Sequence, residues 1–269
     1  MPSKPRMSNT QLAKIRRQKV IKANELVQKR THMLSLQEQK IILFLISQIK
    51  PDQKEFEYQE FDIVDFCEIC GIDHGNGKNY INLRKAIKNL RDKSMWVIGE
   101  NSETLLGWIS NAKIEKNTGK IEIRFDEEIK PFLLELKTKY TQFDLIYTLG
   151  MKSKYSVRLY EILKSYQNIN EPIRFGLDRF KESVGVEYTR WQDIKRRAIE
   201  PAVKEINKLS DLTVTYETET KGRSIIAVSF SVRIKRSFSE QAETYREIYK
   251  TLGHEPLSGQ LTFDGGEVT

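Results

Sequence analysis

The sequence contains few of the residues that build disulfide frameworks, metal centres or membrane spans. Its 269 residues include two cysteines and three histidines. Two cysteines cannot form a disulfide framework, and their scarcity is typical of a reducing compartment. The longest uninterrupted apolar run, residues 41–46, is far shorter than the roughly 20 residues of a membrane span. No apolar segment typical of a secretion signal follows the basic start. We therefore expect a cytoplasmic protein that does not span a membrane.

Motifs for catalysis and for cofactor binding are also missing. Cys67 and Cys70 form half of a zinc site, but no second ligand pair follows, which favours two buried thiols in a core helix. The glycine-containing segment 71–79 lacks the Lys-Ser/Thr ending and the preceding buried strand of a phosphate-binding loop. The histidines stand far apart, and no paired carboxylates share a motif. The three histidines are His32, His74 and His254. The sequence therefore predicts no metal, no other cofactor and no enzymatic activity.

Charge is distributed unevenly along the chain. The first 30 residues carry nine Lys and Arg residues against one acid, so they account for the whole formal charge of +8. From residue 236 onward, three basic residues face six acidic ones. A basic start favours an anionic partner, either nucleic acid or a membrane surface. A basic arm that is merely solvated is the alternative.

The first half of the chain has helix patterns followed by strand patterns. A helix is predicted over residues 24–49, where Ser35 and Glu38 have capping-box spacing. A short helix over 63–70 ends at Gly71, and a third helix covers 79–93. Strands are predicted at 95–98, 105–114 and 120–125. The third helix has an apolar stripe at spacings of three and four, formed by Tyr80, Leu83, Ala86, Ile87 and Leu90.

The second half repeats this order. Helices are predicted at 153–166, at 177–184 before Gly185, and at 189–209, followed by strands at 212–219 and 224–234. Three residues of the first half match residues 114 positions later, and three more match residues 116 positions later. A repeat at this domain-sized spacing indicates a duplicated module rather than a solenoid. The first set pairs Phe61, Phe66 and Gly71 with Phe175, Phe180 and Gly185; the second pairs Leu90, Trp96 and Ile98 with Ile206, Leu212 and Val214.

Three helices followed by a β-hairpin form the winged-helix version of the helix-turn-helix. The sequence therefore predicts an α+β fold with two tandem winged-helix domains related by internal duplication. We expect a basic N-terminal arm at 1–22, domain 1 at 23–137, domain 2 at 138–236 and an acidic C-terminal tail at 237–269. Small modules of this kind also serve as protein-interaction platforms, but two basic third helices favour DNA.

The third helix of domain 2 has a face suited to reading DNA. Trp191, Ile194 and Ala198 form its inner stripe, which leaves a mixed set of donors and acceptors outside. Arginine can pair with guanine, glutamine with adenine and aspartate with cytosine, while basic side chains also hold phosphates. An ordinary solvated face is the alternative. Pro201 is expected to interrupt the helix, so that the groove-facing part ends near Glu200 and the rest packs inward. The predicted contacts are Thr189, Arg190, Gln192, Asp193, Lys195, Arg196 and Arg197 in the helix and Lys221 and Arg223 in the wing.

The equivalent face of domain 1 is rich in lysine and asparagine. Such a face suits phosphate groups and offers fewer ways to read bases. The predicted contacts in this domain are Lys78, Asn79, Asn82, Lys85, Lys88 and Asn89.

Three motifs of the chain are specific in combination, although each alone would be weak. The first helix contains Asn-Glu-Leu at 24–26 and Leu-Ser-Leu-Gln-Glu-Gln-Lys at 34–40. A second motif is Ser-Lys-Tyr-Ser-Val-Arg-Leu-Tyr-Glu at 153–161, and a third is Ile-Glu-Pro-Ala-Val-Lys-Glu-Ile-Asn at 199–207. With these motifs, the chain resembles over residues 20–235 the plasmid replication initiator (Rep) proteins that bind iterons.

The resemblance implies a function that composition and spacing do not show. It implies that two winged helices grip one repeat, that the second supplies most base contacts, and that Arg190, Asp193, Arg196 and Arg197 carry the reading pattern. It further implies a dimer that represses its own promoter at inverted repeats. Monomers would bind origin repeats, open an A+T-rich segment and recruit host helicase and initiator proteins.

Two other classes stay open at this point. A winged-helix transcriptional repressor without a replication role would have the same helices and wings. A replication or recombination enzyme would need a metal or nucleophile that the motifs do not reveal.

Overall fold

The structure is a computed structural model that describes residues 7–29, 34–72, 77–98, 102–115 and 118–253, and the side chains of 77–79 lie outside that description. Its first element is helix α1 (Asn9–Arg16), which Ser8 and Gln11 cap reciprocally. Strand β1 (Lys19–Ala23) follows and pairs antiparallel with β7 (Tyr140–Asp144), from Lys19 opposite Asp144 to Ala23 opposite Tyr140. The sequence patterns predicted none of these three elements.

The segment 1–22, expected as a basic arm, is folded against the protein where the structure describes it. Arg16 is 1% exposed, and its guanidinium donates to the carbonyls of Ile69 at 2.9 Å and Glu68 at 2.7 Å. These carbonyls lie at the end of helix α4 (Ile63–Ile69), where the last turn leaves acceptors without partners inside the helix. Arg16 therefore caps a helix, and its charge is not available to an external anion.

The single helix predicted over residues 24–49 is wrong. The structure has α2 (Asn24–Lys29) and α3 (Leu36–Ser47), and residues 30–33 between them lie outside the described part. The capping box is confirmed: Ser35 accepts from the backbone of Glu38, and the Glu38 carboxylate accepts from the backbone of Ser35. Because Ser35 has extended backbone angles, it begins a helix and cannot lie within one.

Domain 1 contains a three-stranded sheet and a separate hairpin. Strands β2 (Gln59–Asp62), β5 (Ile109–Ile114) and β6 (Lys120–Phe125) form a sheet in the order β2-β6-β5. The hairpin consists of β3 (Ser94–Ile98) and β4 (Glu103–Gly107), and the third helix is α5 (Gly77–Asp92). A 3₁₀ helix at Glu127–Phe132 leads out of the sheet.

Domain 2 has the matching order. Helices α6 (Ile146–Leu149) and α7 (Lys154–Ser165) precede β8 (Ile173–Gly176) and α8 (Leu177–Val184). The third helix consists of α9 (Trp191–Ile194), a π turn (Lys195–Ile199) and α10 (Glu200–Leu209). Strands β9 (Leu212–Lys221) and β10 (Ser224–Ile234) form the wing, and the sheet order is β8-β10-β9.

The two winged-helix domains repeat each other closely up to the third helix. β2 and β8 begin 114 residues apart, and the two second helices are followed by Gly71 and Gly185 in the left-handed conformation, with φ of 62° and 72°. The predicted match of Trp96 and Ile98 to buried wing residues is wrong, because both are exposed in β3. The strand that takes the place of β9 beside its partner is β5, so the β3–β4 hairpin is an addition to domain 1.

The segment expected as an acidic tail begins with a helix. Helix α11 (Phe238–Leu252) packs on α10 and α6, with Tyr245, Ile248 and Leu252 buried. Its apolar stripe covers the core. Glu243 is exposed, while Glu240 and Glu247 are half-buried and form ion pairs with Arg233 and Lys208. Residues 254–269 lie outside the described residues.

One continuous apolar core connects the two domains. Buried polar contacts fix α6 and α7 to earlier elements: the Lys40 ammonium of α3 donates to the carbonyl of Leu149 at 2.6 Å, and Lys22 of β1 forms an ion pair with Glu161 of α7. Burial lowers the pKa of Lys40. The side chains of Lys22 and Glu161 are 3% and 2% exposed. These buried contacts therefore hold α6 and α7 on β1 and α3.

Candidate nucleic-acid interface

The third helix of domain 2 is fixed by its buried side. Ile194, Ala198 and Ile199 are at most 1% exposed, whereas Trp191 is half-buried against the core. The predicted inner stripe is thus confirmed for Ile194 and Ala198. The opposite face carries Gln192, Arg196 and Arg197, which are exposed to solvent.

A π turn lies in the middle of the basic run of this helix. The backbone N–H of Glu200 donates to the carbonyl of Lys195, five residues earlier. The prediction that Pro201 interrupts the helix is wrong, because α10 continues through it. In a regular α-helix Pro201 would have no N–H to donate to the carbonyl of Arg197, and its ring would clash with that carbonyl. The π turn just before Pro201 is wider than an α-helical turn and so explains how the helix accommodates the proline. The rest of α10 does pack inward, as predicted, through Ala202 and Ile206.

One carboxylate holds two of the arginines in this face. Asp193 lies 3.5 Å from the Arg196 guanidinium and 3.3 Å from that of Arg197. The Arg197 guanidinium also lies over the Tyr188 ring, 5.3 Å from its centroid. Ion pairs at such exposed positions contribute about 0–1 kcal/mol, so an incoming phosphate or base can replace them at small cost.

A groove between the third helix and the wing brings most of the predicted residues together. Its volume is about 880 Å³, and Leu177 is among the residues that line it. The wing turns at Gly222, whose φ of 63° permits a tight hairpin, and this turn directs Arg223 into the groove lining. Lys221 is exposed on the same hairpin, and Arg197 lies outside the lining. The predicted residues that line the groove are Thr189, Arg190, Gln192, Asp193, Lys195, Arg196 and Arg223.

In domain 1 the third helix also buries one face and exposes a basic one. Leu83, Ala86, Ile87 and Leu90 are buried as predicted, while Tyr80 is 38% exposed and departs from the stripe. Of the predicted contacts, Asn82, Lys85 and Lys88 are exposed. The side chains of Lys78 and Asn79 lie outside the described residues.

Asn89 is turned toward the protein. It is half-buried, and its amide donates to the Glu38 carboxylate at 2.9 Å, while Lys93 donates to the same carboxylate at 2.6 Å. Burial alone would raise the pKa of Glu38, but hydrogen bonds from Lys93, Ser35 and Asn89 lower it below its ordinary value of 4.5. Asn89 thereby links α5 to α3.

We predict that Glu38→Gln lowers the free energy of unfolding at pH 7 by about 1.5–3 kcal/mol, the value typical of hydrogen bonds to a charged group. A carboxyl with a lowered pKa in the folded state stabilises the protein above its unfolded pKa, and this contribution is lost as the pH falls through the folded value. The difference between wild type and variant should therefore shrink below pH 4.5. Urea unfolding followed by circular dichroism at several pH values measures it; a difference independent of pH would contradict the assignment.

Two basic residues of domain 1 were missed by the sequence analysis. Arg84 and Arg91 are exposed on α5 and, with Lys88, line an open pocket of about 540 Å³ against Ser110 and Asn111 of β5. Their spacing of four and three around Lys88 was a readable signal of one helix face. The cationic surface of domain 1 is therefore larger than predicted.

Neither a metal cluster nor a membrane-spanning helix is found in the part of the chain that the structure describes. The three histidines lie outside that part. Cys67 and Cys70 are buried, as predicted, and burial raises the pKa of Cys70 to about 12. A thiol with so high a pKa remains protonated and unreactive at neutral pH.

Comparison with known proteins agrees with this geometry. Residues 19–164 match the family described as Initiator Replication protein, WH1, and residues 176–232 match Initiator Rep protein, WH2. A replication initiation protein of Escherichia coli is 27% identical over 248 residues, which span 87% of this chain and 75% of that protein. The crystal structure of Pi initiator protein in complex with iteron DNA has a TM-score of 0.68 at 18% identity, covering 82% of this chain and 99% of that one. The resemblance predicted from the sequence is thus confirmed, and the chain belongs to the family of replication initiator proteins with two winged-helix domains.

Proposed function

We propose that the protein initiates plasmid replication by binding repeated origin sequences, or iterons. The observation that carries this proposal is the groove of domain 2, where a mixed donor and acceptor surface on the third helix faces a basic wing. The third helix enters the major groove, where Gln192, Asp193 and Arg196 contact base edges. Lys221 and Arg223 of the wing hold the phosphate backbone. That the Pi initiator protein was crystallised with iteron DNA supports the proposal by analogy of fold.

Domain 1 contacts the same duplex in the neighbouring groove. Its exposed basic residues on α5 match the position of the reading helix in domain 2, so one chain grips one repeat at two points. Both contacts neutralise phosphates, which makes binding steeply dependent on salt. The contacts assigned to this domain are Lys78, Asn79, Asn82, Arg84, Lys85, Lys88 and Arg91.

Binding leads to origin opening rather than to bond cleavage. The initiator works without a cofactor in the bacterial cytoplasm, opens an A+T-rich segment and recruits host helicase and initiator proteins. A dimer of the same chain represses its own promoter at an inverted repeat. The chain divides into domain 1 at 23–137 and domain 2 at 138–236, and the segments 1–22 and 237–269 extend them.

Footprinting of the full chain on the non-coding DNA of its own plasmid tests this function. Protection of evenly spaced direct repeats, together with permanganate-reactive thymines in an adjacent A+T-rich segment, is the expected result. Protection of a lone palindrome without strand opening would instead make the protein a repressor without a replication role. Magnesium-dependent nicking of supercoiled origin DNA would show a catalytic activity and contradict the proposal.

A further inference from the structure

Domain 1 exposes an apolar pair at the start of its DNA-facing helix. Ile81 is 64% exposed and the neighbouring Tyr80 is 38% exposed. In domain 2, which the structure describes without a gap, the third helix has no exposed large apolar side chain. The two third helices thus present chemically different surfaces, although they occupy equivalent places in the duplicated fold.

Ile81 stands where a base-reading residue is expected. It is the fifth residue of α5, and recognition helices contact base edges with their N-terminal part. Its side chain is exposed, whereas Leu83 and Ile87 on the opposite face of α5 are buried. The position therefore faces solvent and any partner of the helix, not the core.

The surroundings of Ile81 favour an anionic partner. Arg84, Lys85 and Lys88 are exposed on the following turns of α5, and the Arg84 guanidinium lies over the Tyr80 ring, 5.8 Å from its centroid. A partner that satisfies both features carries negative charge and offers an apolar group within reach of the helix. In the major groove of duplex DNA, that group is the 5-methyl of thymine.

We infer that Ile81 contacts thymine methyl groups and gives domain 1 a base preference of its own. This inference rests on the proposed DNA-binding function and extends it from phosphate contact to sequence reading. Asn82, exposed beside Ile81, can form the paired hydrogen bonds that asparagine makes with adenine. Together the two residues select A·T base pairs in the half of the repeat that domain 1 occupies. Tyr80 supports the adjacent arginine as a positioning residue.

Replacing thymine by deoxyuridine removes only the methyl group and tests the inference directly. The probe is a fluorescent duplex that carries the repeat protected in the footprint, with all thymines of one half replaced, and a second duplex with the other half replaced. Fluorescence anisotropy of the full chain should show about fourfold weaker binding per contacted methyl in one half.

The variant Ile81→Asn should bind the thymine and deoxyuridine forms of that half equally, because it lacks the apolar contact. Ile81→Val keeps a branched apolar side chain and should retain the sensitivity of the wild type. Ile169→Asn replaces another exposed isoleucine, on a turn outside the third helices, and should also retain it. Since residue 81 is exposed, the melting curves of its variants should match the wild type.

The outcomes separate this inference from the function on which it rests. In the first outcome, wild type prefers the repeat to a scrambled duplex, but Ile81→Asn is as sensitive to deoxyuridine as wild type in both halves. Residue 81 then does not contact thymine methyl groups, so the inference is overturned while the proposed function stands. If wild type does not distinguish the repeat from the scrambled duplex, the proposed function and the inference both fail.

Discussion

Replacing Arg196 by alanine should weaken binding to the cognate repeat by about 1–3 kcal/mol, or roughly fivefold to 150-fold, and relax the preference at one base pair. The side chain is 72% exposed, and the Asp193 carboxylate contacts its guanidinium at 3.5 Å. The change therefore removes a contact with DNA and leaves the core intact. Gel-shift titration on the cognate repeat and on a scrambled duplex measures the effect, which should be far smaller on the scrambled DNA.

Two variants serve as controls for this experiment. Lys85→Ala removes an exposed phosphate contact of domain 1 and should weaken binding to both DNAs alike. Arg246→Ala removes an exposed arginine of α11, outside both third helices, and should leave binding nearly unchanged. Equal losses on cognate and scrambled DNA for Arg196→Ala would reject its role in base reading.

Replacing Glu161 by glutamine should destabilise the protein by about 3–5 kcal/mol. Glu161 lies on α7 and its ion-pair partner Lys22 lies on β1, so the pair joins helix and strand in the core. Both side chains are almost completely buried. Replacing the carboxylate removes the ion-pair partner of a buried charge in a medium of low polarity, which costs several kcal/mol. Urea unfolding monitored by circular dichroism measures the loss.

A double replacement separates the cost of an unpaired charge from a general loss of packing. Lys22→Met combined with Glu161→Leu removes both charges, and we expect it to recover most of the stability. Asp92→Asn, which breaks the exposed pair with Lys88, should change stability by less than about 0.5 kcal/mol. If Glu161→Gln lost less than about 1 kcal/mol, the buried pair would not stabilise the packing of α7 on β1.

The elements closest to the proposed site could be predicted from the sequence. The second helices, the third helices and the wing strands are local patterns, because apolar periodicity and a left-handed glycine at Gly71 and Gly185 determine them over a few residues. The pairing of β1 with β7 joins segments about 120 residues apart, and no local pattern reports such a contact. The basic residues around β1 also concealed it, since Lys22 and Arg16 were interpreted as surface charge although both are buried.

Within the site, the sequence predicted which residues occur on the third helices but not how each is used. In domain 2 the mixed face could be predicted because Ile194 and Ala198 define the inner stripe. The π turn could not, since it depends on the conformation of the folded helix around Pro201. In domain 1 the internal hydrogen bond of Asn89 depends on Glu38, which is 51 positions away. Tertiary contacts of this kind decide which polar residues remain available to DNA.

Methylation interference on a single repeat tests most directly the claim that both third helices contact one duplex. Methyl groups on guanine N7 block contacts in the major groove, so the full chain should show two clusters of interfering guanines about one helical turn, or 10–10.5 base pairs, apart on the same face. Arg196→Ala should lose interference in one cluster and keep the other. A single cluster, or two clusters on opposite faces of the duplex, would contradict the account.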